Sequence, residues 1–172
     1  PLSTSGSRTT SSSSATLRNA FLWLLGGFAG ASWPALGIYL AYALVPLLVL
    51  FATARWLDLL ALGEESARHL GLDVERARLV IYLATGLLTA ASVAAAGIIG
   101  FVGLVVPHAV RRLLGPMHRP LLPAVFLGSG AFLVLADALA RTVARPIELP
   151  VGVVTAIVGV PLFALLLRRT LA

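Results

Sequence analysis

Residues Arg78 to Gly115 read RLVIYLATGLLTAASVAAAGIIGFVGLVVPHAVRRLLG, and the fold turns on which solvent can accept such a stretch. Leu79 to Ala96 is an uncharged run of 18 residues, within the roughly 17–25 that a helix needs to cross a hydrocarbon core about 30 Å thick. Gly97, Gly100 and Gly103 then interrupt it. Phe101 to Leu114, with Pro107 inside, is 14 residues, or about 21 Å at 1.5 Å per residue. That length crosses only as a short or broken helix packed inside protein, because broken backbone is not tolerated against lipid. So much Gly and Ala with so little alternation excludes porin-like strands. The reading is all-α, a polytopic transmembrane bundle.

Composition agrees. Hydrophobic residues make up 59% of the 172 and charged residues 12%, against about 25% charged in soluble domains. The formal charge of +6 comes from 13 arginines and no lysine. These flank apolar segments instead of forming a basic face with stacking aromatics, so no nucleic-acid partner is expected. The absence of cysteine rules out disulfides and thiolate metal sites.

Working outward, Ser/Thr-rich residues 1–16 read as a flexible external loop. The opening at Pro1 lacks signal-peptide features, so a fragment or processed product is expected. Residues 17–30, with Phe21 and Trp23, read as an external helix on the membrane surface. Spans are expected at 34–54, 79–96, 121–140 and 150–167. In the first, Trp33, Tyr39 and Trp56 suit an aromatic belt; in the second, Gly86, Ala90, Ala94 and Ala95 suit close helix packing. Residues 55–78 carry Arg55, Asp58, Glu64, Glu65, Arg68, Asp73, Glu75, Arg76 and Arg78 and belong in water. They keep helical periodicity, so a short helix over 60–72 with Gly71 as C-cap is predicted. Nine arginines (55, 68, 76, 78, 111, 112, 119, 168, 169) fall on one side of this layout and four (8, 18, 141, 145) on the other. Because arginine excess marks the cytoplasmic side, residues 55–78 and the C-terminus should be cytoplasmic.

No P-loop, HExxH or G-x-S-x-G occurs. An energised transporter would therefore need a separate ATPase and a cytoplasmic handle for it. LALGEESARHLGL, Leu60 to Leu72, is the candidate handle: a short helix with small residues can enter a groove, and a Gly lets the chain turn afterwards. Its Glu65, Ser66, Ala67 and Gly71 resemble the coupling loop of ABC importer permeases, with Ser in place of the first Ala. Three further stretches extend the resemblance: WLLGGFAGASW from Trp23, GIIGFVGLVVPHAVRRLLGPMHRPLLP from Gly97 and ADALARTVARPIELPVGVVTAIVGVPLF from Ala136. Together, from Trp23 onward, they look like the C-terminal half of FecCD-type permeases, which import ferric siderophores, haem or cobalamin.

That resemblance implies a cytoplasmic ABC ATPase dimer, an extracytoplasmic substrate-binding protein and a second permease copy or paralogue. It also implies a bacterial inner membrane, ATPase coupling through Leu62, Gly63, Glu64, Glu65, Ser66, Ala67, Arg68 and Gly71, and binding-protein docking at Arg141. Headgroup anchoring is the plainer role for Arg141 and Arg145. Asp137 lies four residues before Arg141, so the two side chains can pair on one helix face. Gly97, Gly100, Gly103, Pro107 and His108 are pathway or gating candidates, the glycines first as close packing and a sharp reversal. Single histidines at 69, 108 and 118 make poor metal sites; neither metal nor cofactor is expected. An intramembrane enzyme using Asp137, Glu148 or His108 would need these groups at one depth, and they scatter instead. The other alternative is a non-transporting membrane anchor or assembly module.

Overall fold

Polar residues end the apolar runs, and helices begin where they do. The computed structural model describes residues 24–28, 30–143 and 150–171. In chain order the helices are α1 (Trp33–Ala52), α2 (Ala54–Leu60), α3 (Glu64–His69), α4 (Val74–Ala96), α5 (Val102–Leu114), α6 (His118–Val143) and α7 (Val151–Leu171), with no strand among the described residues. Ser32 caps α1 by accepting from the Ala35 amide at 3.4 Å. Asp73 caps α4 in the same way, accepting from the Arg76 amide at 3.2 Å. Among the described residues three helices are long and apolar enough to cross a membrane, by length and composition: α1, α4 and residues 118–142 of α6.

α1 packs along α4, and Tyr39 Oη and Ser92 Oγ form a hydrogen bond of 3.2 Å between them. α5, α6 and α7 pack on one another, and α2 lies against α6. The buried positions are mostly Ala and Val, such as Ala77 and Ala84 on α4, Val105 and Val106 on α5, and Ala136 and Ala140 on α6. Small side chains let helices approach closely where no hydrophobic drive operates between them. Ile38, Tyr42, Leu48, Tyr82, Leu83 and Leu135 instead face outward. A face so apolar requires lipid or further protein against it.

Several boundaries move from the sequence reading. The helix expected over 60–72 is confined to α3, Glu64–His69, and a further short helix, α2, precedes it across a turn at Leu62 and Gly63. The helix holding the expected span 79–96 begins earlier, at Val74, because Asp73 caps it there. Pro107 sits inside a continuous α5; the break falls before it, at residues 97–101. Gly86, Ala90, Ala94 and Ala95 are exposed within this chain, and the packed stripe of α4 is Val74, Ala77, Ile81 and Ala84 at helical spacing. Of the surface helix expected over 17–30, residues 17–23 and 29 lie outside the described residues, and Leu25 to Phe28 are a turn, not helix. The loop expected over 1–16, with Arg8, and the link holding Arg145 and Glu148 also lie outside them.

Candidate functional sites at the two ends of the bundle

At one end α2 and α3 form a small angular unit. α3 closes in a paired turn: the Gly71 amide donates to Arg68 O at 2.9 Å and the Leu72 amide to Ala67 O at 3.0 Å. Gly71 takes φ +85°, the left-handed value that this closure demands and that glycine meets without a Cβ penalty. Two ion pairs then fasten α3 to α4, Arg78 with Glu64 and Arg68 with Glu75, the latter at 3.3 Å. These pairs are partly exposed and individually weak, but they orient the helix. Ala67 faces inward with 0% exposure, so it seats α3 on its own chain and offers nothing to a partner. Glu65 makes no hydrogen bond or ion pair among the described residues, and it is exposed together with Leu62, Gly63, Ser66 and Leu70.

α2 is fastened elsewhere. Asp58 Oδ1 accepts from the His118 amide at 2.7 Å and lies 2.8 Å from His118 Nδ1. His118 is the first residue of α6, so its amide has no partner within the helix and a carboxylate on α2 supplies one. That backbone hydrogen bond holds the Asp58 carboxyl below the usual carboxylate range, with the His118 ring and the Arg119 guanidinium adding to the effect against partial burial.

At the other end the links are backbone and glycine. The Gly27 amide donates to Ala96 O at 2.9 Å, and the Gly152 amide reaches Gly26 O at 3.4 Å. A Cβ at Gly26 would stand 2.5 Å from Ile98 O, and one at Gly152 would collide with Leu25 O. Phe101, at φ 64°, precedes α5 and lies against Gly159, where any side chain would overlap it. Ala136, Ala140 and Val151 pack here with Phe28, Leu133 and Val154. Arg141 Nε donates to Asp137 Oδ2 at 2.7 Å, the geometry the four-residue spacing allows, and Arg141 remains exposed.

The pathway candidates do not converge on one point. Gly97 is buried at the end of α4, whereas a Cβ at Gly100 or Gly103 would meet only open space, so neither provides close packing within this chain. His108 lies mid-helix, one turn beyond Gly103 and beside Pro107, with Nε2 buried and unpartnered among the described residues. No metal-binding group occurs among the described residues. Sequence reasoning missed Asp58 with His118, which are 60 residues apart and carry no shared motif. It also missed Gly26, Gly152 and Gly159; their only signal was glycine inside otherwise bulky apolar stretches.

Residues 3–169 match the model of the FecCD transport family. The chain is 47% identical over 152 residues to the cobalamin import system permease protein BtuC of Halobacterium salinarum, covering 88% of this chain and 41% of the relative. It is 42% identical over 153 residues to the hemin transport system permease protein HmuU of Yersinia pestis, covering 89% of this chain and 46% of the relative. A solved structure described as an inward-facing metal-chelate type ABC transporter superposes with a TM-score of 0.82 at 36% identity, covering 89% of this chain and 49% of that one. The chain thus spans less than half the length of these curated relatives.

Proposed function

This chain belongs to the FecCD transport family, and on that premise we propose that it forms part of the membrane permease of an ATP-binding-cassette importer for a ferric siderophore, haem or cobalamin. The observation carrying the proposal is the α2–α3 unit: a short two-helix projection fixed on the membrane helices by polar pins, with Glu65 left open. Its role is to grip a cytoplasmic ATPase dimer. ATP-driven closure of that dimer moves the unit, and the membrane helices reorient to release substrate inward. The chain performs no covalent chemistry; hydrolysis takes place in the partner.

The orientation follows from charge. Arg55, Arg68, Arg76, Arg78, Arg111, Arg112 and Arg119 gather at the α2–α3 end, and arginine excess marks the cytoplasmic face. The C-terminus then lies in the cytoplasm and Arg141 outside, in a multi-pass protein of the plasma membrane. Outside, Arg141 is placed to steer an acidic surface of a substrate-binding protein, a contact that sets register and on-rate more than affinity. A second permease copy or paralogue covers the apolar faces that lipid does not.

The deciding experiment is co-purification of the whole transporter with its ATPase. Combined Glu65→Arg and Gly71→Val should release the ATPase while the chain stays in the membrane fraction. Retention of the ATPase would remove the coupling role. Arg141→Glu should weaken binding-protein docking in a salt-sensitive way, and unchanged docking would count against that contact.

A further inference from the structure

Asp58 stands on α2, inside the coupling segment, yet its hydrogen bonds go to neither α3 nor α4 but to the first residue of α6, 60 positions along the chain. α6 runs from His118 to Val143 and reaches the opposite end of the bundle. From His118 to Arg141 is 23 residues, about 35 Å at 1.5 Å per residue. At its far end α6 holds the Asp137–Arg141 pair and packs Ala136 and Ala140 against Val151 of α7 and Phe28. At its near end its own ladder is thin. First-turn amides have no intrahelical partner, and Pro123, inside the helix, has no amide to donate. The beginning of α6 is seated by the buried Leu121, and its first amide is capped by a side chain from α2.

We propose that Asp58 is a positioning residue for transport, a pin through which displacement of the α2–α3 unit is passed to α6 and so to the outer face at Arg141. The inference rests on the coupling role argued above and extends it by naming the route. The two attachments divide the labour. The ion pairs Glu64–Arg78 and Arg68–Glu75 keep α3 on α4, and the Asp58 cap transfers motion to α6. Physical coupling needs an element whose position both ends bias, and a rigid helix capped at one end by the moving part meets that need.

The chain contains no cysteine, so a single Thr142→Cys, at an exposed position beside Arg141, reports on the outer end of α6. The whole transporter with its ATPase is reconstituted in liposomes, and labelling by a membrane-impermeant maleimide is timed with and without ATP plus vanadate. With Asp58 intact, nucleotide trapping should change the labelling rate by about fivefold or more. Asp58→Ala should bring that ratio close to one while the ATPase stays bound and hydrolyses ATP. A merely structural role would lower stability without separating hydrolysis from the outer response. An undiminished ratio in Asp58→Ala overturns the inference alone. Absence of any nucleotide response with Asp58 intact overturns the coupling role beneath it as well. If Asp58→Ala fails to assemble, Asp58→Leu, which keeps the volume but offers no acceptor to the His118 amide, takes its place: a ratio near one supports the pin and an undiminished one rejects it.

Discussion

The two ends of the bundle are built from different materials. At the α2–α3 end, helices are joined by side chains: the Asp58 cap and the Glu64–Arg78 and Arg68–Glu75 pairs. At the end holding Gly26, Ile98 and Gly152, backbone lies directly on backbone, with side chains missing where the segments touch. Polar links can exchange with water and re-form at small cost, so the first end suits a part that moves against a partner. Glycine contacts have no such freedom, because van der Waals repulsion is steep and packed interiors do not yield smoothly. The second end is accordingly a tight seam that makes α6 and α7 shift together and not against each other.

The sharpest way to break this contrast is to add bulk at the seam. Gly152→Val drives a side chain into Leu25 O, and overpacking of this kind costs about 1–3 kcal/mol or more. Thermal unfolding in detergent should show the largest loss among the variants considered. Next comes Asp58→Ala at the polar end. It leaves the His118 amide uncapped at a cost of about 1 kcal/mol, so a smaller drop in the same melt is expected, and a drop equal to that of Gly152→Val would erase the distinction. Because the Asp58 carboxyl titrates below its ordinary value when folded, its contribution is present above about pH 4. It fades as pH falls through the lowered folded value, and the acid side of the melt should flatten in Asp58→Ala. Tyr39→Phe, which removes the bond to Ser92 between α1 and α4, should cost about 0.6 kcal/mol. The mildest change is Glu64→Gln, which breaks a partly exposed pair with Arg78 worth no more than about 0.5 kcal/mol. Its effect should vanish at high salt, and persistence in high salt would mean that α3 is held by packing.

The helices α1, α4 and α6 were legible in the sequence because their apolar runs are long and nearly free of charge. Their ends were less so. Glu75, Arg76 and Arg78 pointed to water and carry partly or fully exposed side chains, but the helix carries straight through them once Asp73 has capped it. Composition reports solvent more directly than it reports backbone. The polar segment over 55–78 was marked off by its charge and by Gly71, while its division into α2 and α3 depends on the turn at Leu62 and Gly63, where no proline or polar cluster announced a stop. Ala67 belonged to the expected handle by motif, and the fold turns it inward. Asp58 with His118, and Gly152 with Leu25, bring together residues distant in sequence, and a single chain read along its length gives no sign of which distant residue will meet which.

α5 has 13 residues, so it rises about 20 Å where the hydrocarbon slab measures about 30 Å. The irregular residues 97–101 that feed it therefore stop short of the level at which a full-length neighbour ends. Unpaired backbone at that depth survives only beside protein or water. The chain supplies that cover itself, because Ile98 O lies against both Gly26 and Gly152, so the short α5 is completed by its own neighbouring backbone.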